Sequence, residues 1–171
     1  MDSRTRIIAR TGLLLATTLI LQGLRLILPM PPQASMILIG SLVNACFLLA
    51  VLLIGLKPAV LLALVTPVAA YFQGMLPFLP FVGPVALGNS LFVIVFYMQR
   101  RHAVRALVTA ALAKTASLYG GFCFLFSLVA FPEKITHMIL FIMSWPQIVT
   151  AVLGGILAFV IAKRLAVISQ R

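Results

Sequence analysis

The sequence predicts an all-α integral membrane protein of six transmembrane helices, with both termini in the cytoplasm. Three observations predict it. The 171 residues are 63% hydrophobic, against about 45–50% for soluble domains, and their mean hydropathy is +1.21. Only 13 Lys and Arg and 2 Asp and Glu are present, too few to cover a water-soluble surface. The basic residues alternate with the apolar runs, which sets both the span count and the orientation.

The first span is read from Ile7 to Leu28, stopping at "PMPPQ". Its length and the lack of an A-x-A site make it a retained span and not a cleaved signal. The second runs from Ser35 to Leu56 and the third from Pro58 to Met75. Pro58 suits a first helical turn, where its missing N–H costs little. The fourth follows "LPFLPFVGP" and ends near Tyr97. Pro77, Pro80 and Pro84 keep its start irregular, and irregular backbone at membrane depth is tolerated where it lines a cavity or is covered by protein. The fifth spans Ala103 to Phe131 and the sixth Thr136 to Ala162. The whole chain, 1–171, makes a single transmembrane domain, with no room for a soluble one.

Arg4, Arg6, Arg10, Lys57, Arg100, Arg101, Arg105, Lys163, Arg164 and Arg171 all fall on one side of this arrangement. Only Lys134, beside Glu133, falls in the opposite loops. By the positive-inside rule the basic side is cytoplasmic. The charge of +11 is thereby accounted for by topology, and no nucleic-acid partner is expected. Cys46 and Cys123 lie in apolar runs without a CxxC or Cys/His cluster, so neither a disulfide nor a metal site is expected.

Two cations fit no loop. Arg25 lies near the outer end of span one, where its side chain can snorkel to the interface. Lys114, in "ALAKTASLYGG", lies roughly 16 Å into span five at 1.5 Å per residue. A cation at that depth costs at least about 2.5–3.5 kcal/mol. The only acids, Asp2 and Glu133, lie outside the spans. Lys114 must then be neutral, solvated in a cavity, bound to carbonyl groups, or completed by an anionic ligand.

Other polar side chains gather at this depth or further outward: Gln22, Asn44, Gln73, Asn89, Ser90, Ser117, Tyr119, Trp145 and Gln147. Each by itself is commonly a helix–helix contact. Together they supply the amide, hydroxyl, aromatic and cationic groups of a small-molecule pocket. Gly12 and Ala16 in "GLLLA" place small residues four apart on one face of span one. Such a face serves either internal packing or docking of another membrane subunit. No HExxH, DxxD or G-x-S-x-G motif is present, so no enzyme is expected and no cofactor is implied. The missing intramembrane carboxylates argue against an ion-coupled pump.

The basic N-terminus running into "ARTGLLLATTLILQ", together with "LPFVGPVALGNSL" and the six-span length, resembles the substrate-binding S components of energy-coupling factor (ECF) vitamin transporters. Gly12 stands where that family more usually has an alanine, with Ala16 following. The resemblance implies a capture subunit in the bacterial cytoplasmic membrane that binds a vitamin-like molecule at the outer side. It implies docking of the first three spans on a transmembrane coupling subunit carried by two cytoplasmic ATPases, since the chain has no Walker motif. It also implies a pocket built from spans four to six and the outer loops. That favours Lys114, Asn89, Tyr119, Trp145 and Gln147 over Asn44, with Arg25 and Gln73 as further candidates at the outer ends. A cationic pocket suits an anionic ligand such as nicotinate, pantothenate, folate or biotin better than a thiamine-like cation. The competing reading is a non-transport scaffold of the cell-shape (rod-complex) type, in which the polar groups serve only helix packing.

Overall fold

The computed structural model describes residues 2–169, and all regular structure among them is helical. The helices are α1 (Ser3–Ile27), α2 (Pro32–Leu53), α3 (Leu56–Phe72), α4 (Val82–Gln99), α5 (Ala103–Leu128), α6 (Glu133–Ile142) and α7 (Trp145–Ser169). A 3-10 turn at Leu79–Phe81 leads into α4. Helix is the form in which a segment pairs all its own backbone groups, which lipid demands. The hydroxyls follow the same logic: Thr17, Thr18, Ser41, Thr66 and Thr115 each donate to the carbonyl four residues back.

Five stretches are long and apolar enough to cross a membrane: 4–27, 32–53, 79–99, 103–128 and 133–165. The expected third span, α3, has only 17 residues, about 25 Å at 1.5 Å per residue, against a hydrocarbon core of about 30 Å. The structure thus differs from the six-span expectation at α3. It differs again in the expected sixth span, which is broken between Ile142 and Trp145. Pro146 is the cause. In an unbroken helix the Ile142 carbonyl would take the N–H of residue 146, and proline has none. The Gln147 side-chain amide fills the gap, its Nε2 donating to that carbonyl at 3.2 Å.

α2 is the centre of the bundle. It packs on α1, α3, α4 and most extensively on α7, and every residue from Val43 to Val51 is buried. A helix apolar all round is what such a position needs. α7 runs parallel to α2: Gly40 meets Thr150, and Gly154 meets Ser41 and Asn44. A Cβ on Gly154 would stand 2.6 Å from the Ser41 carbonyl oxygen, so only glycine permits this approach. α4 and α5 run antiparallel, with Pro84 against Gly121, Gly88 against Leu118, and Phe92 facing Lys114. α5 also crosses α7, where Leu107 fills the space beside Gly155.

Phe47, Leu48, Leu62, Phe92 and Phe96 fill the middle of the bundle. A second cluster closes one end, where Phe81 makes edge-to-face contacts with Phe78, Phe122 and Phe126. Large side chains such as Leu13, Phe72 and Phe124 are exposed, as lipid contact requires. The helix directions put Arg4, Arg6, Arg10, Lys57, Arg100, Arg101, Arg105, Lys163 and Arg164 at one end of the bundle. Arg171 lies outside the described residues. Arg25 and Lys134 belong to the opposite, aromatic end.

Candidate functional site

Lys114 sits where α5 faces α2, α4 and α7, with 4% of its surface exposed. The Ala-rich stretch before it lets α5 approach its neighbours: Ala106, Ala110 and Ala111 are all buried. Its Nζ donates to Oδ1 of Asn44 at 2.6 Å. Asn44 Nδ2 donates in turn to Oγ1 of Thr150 at 3.2 Å. The Thr150 hydroxyl donates to the Gln147 carbonyl at 3.0 Å. One polar relay thus ties α5, α2 and α7 together. The Phe92 ring centroid lies 5.3 Å from Nζ, within the range of a cation–π contact.

The relay leaves capacity unused. An ammonium has three donors, and Lys114 makes one hydrogen bond. One turn further from the basic end, α4 and α5 carry more unspent polarity. Asn89, only 6% exposed, makes no hydrogen bond among the described residues. The hydroxyls of Ser117 and Ser90 are buried without a partner. The contacts of Phe92 with Lys114 and of Gly88 with Leu118 put Asn89 and Ser117 at matching heights of the two helices. Unpaired buried polar groups are costly, so these side chains keep hydrogen-bonding capacity to spare.

The remaining candidates are dispersed. Gln147 borders the relay, but its side chain is engaged with the Ile142 carbonyl. Gln73 accepts from Gln22 Nε2 at 2.7 Å, and the same amide donates to the Thr66 carbonyl at 3.3 Å. That pair joins α1 to α3, away from Lys114. Tyr119 and Trp145 are 45% and 55% exposed, the latter edge-on to Phe141. Arg25 is exposed in the last turn of α1. Gly12 and Ala16 are exposed on α1, and nothing lies within 4 Å of where a Gly12 Cβ would stand.

Two side chains of the relay do not stand out in the sequence. The resemblance favours spans four to six over Asn44, yet Asn44 is the partner of Lys114. Thr150 is inconspicuous because a threonine in an apolar run ordinarily bonds its own helix. The signal for Asn44 was its amide in the most apolar helix of the chain. Among the described residues no group of three or more His, Cys, Asp or Glu is placed to hold a metal.

Fold and site together define a multi-pass α-helical membrane protein with a lysine enclosed inside its bundle. No family model, no curated protein and no solved structure matches the chain.

Proposed function

We propose that this chain is the substrate-capture subunit of an ECF-type importer, binding a small anionic, carboxylate-bearing molecule between α4, α5 and α7. In this reading α3 completes six crossings in spite of its length. The basic end and both termini face the cytoplasm of a bacterial cell, as the charge asymmetry favours. The observation that carries the reading is Lys114 with donors to spare, one turn from the height at which Asn89 on α4 and Ser117 on α5 lie without partners. A ligand carboxylate would take the spare ammonium donors, with the Asn89 amide and Ser117 hydroxyl completing its contacts. It would enter from the aromatic end as α4 and α5 part. Gly12 and Ala16 offer the close-approach face for a coupling subunit, and ATP hydrolysis belongs to that subunit's ATPases.

The test is native mass spectrometry of the purified protein, followed by a thermal-shift screen of vitamins and related acids. A copurifying or stabilising acid whose affinity falls with Lys114→Ala is the expected outcome. An identified ligand that binds Lys114→Ala unchanged overturns the role of Lys114.

The second reading is a scaffold without a ligand. Its support is the 2.6 Å bond from Lys114 to Asn44, which ties α5 to α2 with protein groups alone. It predicts that no acid in the screen shifts the melting temperature.

A further inference from the structure

A groove of about 630 Å³ opens at the basic end between α1 and the α2–α3 turn, within the roughly 300–1,000 Å³ of small-molecule sites. Its walls are apolar: Ile7, Ile8 and Leu15 from one side, Ile54, Leu56 and Leu61 from the other. The one hydroxyl in the lining, that of Thr11, is spent on the Ile7 carbonyl at 2.7 Å. Two glycines keep the groove open. Gly12 and Gly55 both line it, and a Cβ at either would meet nothing within 4 Å. Gly55 has φ of +136°, a conformation that a side chain would strain.

The charges stand at the mouth. Lys57 lines the groove and is exposed. Arg4, also exposed, shares a helical face with Ile8 and Thr11, one turn nearer the basic end. No acidic side chain lines the groove. An apolar slot with cations at its rim, at the level where a bundle meets the membrane surface, is complementary to one kind of molecule. Basic pockets between membrane helices take anionic lipid headgroups.

We propose that this groove binds an anionic phospholipid, with an acyl chain along Gly12 and Leu15 and the phosphodiester at Lys57 and Arg4. The site is separate from Lys114, and the isolated chain tests it with no coupling subunit to compete for Gly12. It gives that chain a preference for anionic membranes beyond the general attraction of its basic end.

The experiment is native mass spectrometry of the purified chain titrated with dioleoyl phosphatidylglycerol or dioleoyl phosphatidylcholine, which share acyl chains and differ in headgroup. The wild type is expected to retain phosphatidylglycerol at lower lipid concentration. Lys57→Gln is expected to reduce that preference about fivefold, the worth of one cation at a membrane surface. Gly12→Leu fills open space on an exposed helix face, so it should fold normally and weaken both lipids. Arg105→Gln, a cation at the same end but outside the groove, should leave the preference intact. Equal retention of the two lipids by the wild type overturns the proposal. So does an unchanged Gly12→Leu, or a loss of preference as large in Arg105→Gln as in Lys57→Gln, which would show diffuse attraction to the basic end.

Discussion

Replacing Lys114 by methionine should make this protein more stable and less able to bind its ligand. Methionine nearly matches the length of lysine and carries no charge. Burying the lysine costs about 2.5–3.5 kcal/mol on membrane-insertion scales. Against that, the substitution removes the Asn44 bond at 2.6 Å, and interhelical hydrogen bonds in membrane proteins average about 0.6 kcal/mol. The Phe92 contact at 5.3 Å returns about as much to a methionine, whose sulfur also favours an aromatic neighbour, at about 0.3–1.5 kcal/mol. The buried Asn44 Oδ1 loses its donor, at about 1 kcal/mol, so the net effect is a gain of about 1–2 kcal/mol, which for a chain of this length raises the melting temperature by about 2–8 °C. The assay is thermal unfolding of both proteins in the same detergent, paired with ligand titration. A gain in stability with loss of binding is the mark of a residue kept for function at a cost to the fold. A fall in melting temperature would refute the reasoning, because the Lys114–Asn44–Thr150 relay would then be holding the bundle together.

Asn44→Leu should be the more damaging change, lowering stability by about 1.5–3 kcal/mol, since it strips a charged group of its one hydrogen bond. Pairing it with Lys114→Met should recover most of that loss in a double-mutant cycle, and additivity of the two changes would refute their coupling. Gly154→Leu should weaken the α2–α7 seam by at least about 1–3 kcal/mol, because even its Cβ would press on the Ser41 carbonyl at 2.6 Å; an unchanged denaturation midpoint would refute it. Gln22→Ala should loosen α1 from α3 by only about 0.6 kcal/mol, read as faster proteolysis at the aromatic end before any change in melting temperature. Gly12→Trp should impair assembly with a coupling subunit while ligand binding by the isolated chain persists, and loss of both would point to misfolding.

Much of this fold was legible in the sequence because lipid is an exacting solvent. A segment without water must pair its own backbone, so apolar runs between cation clusters translate directly into helices. Their ends follow from Pro31, Pro132 and the basic loops. The segregation of Arg4, Lys57, Arg100 and Lys163 to one end was legible for the same reason, since an odd number of crossings between any two of them would separate them. The break after Ile142 was legible in principle, because Pro146 removes the donor that the carbonyl needs. Hydropathy does not mark it, because the residues on both sides are apolar.

The site was legible only in its depth. Counting residues from the basic loop placed Lys114 in the interior, and counting acids showed that no carboxylate was there to pair with it. Which amide would meet it depended on the rotation and neighbours of each helix, and hydropathy carries little about either. α2 and α5 meet at this level because Gly154 and Gly155 let α7 pack closely on both, bringing Asn44 and Thr150 to Lys114. Gln73 was drawn instead to Gln22, and Tyr119 and Trp145 turned outward. Sequence alone determined that the chain is helical, apolar and basic at one end, since those follow from transfer energies summed along each segment. Tertiary structure decided which polar groups are spent on one another and which are left over, because that depends on angstrom-scale register between helices far apart in the chain.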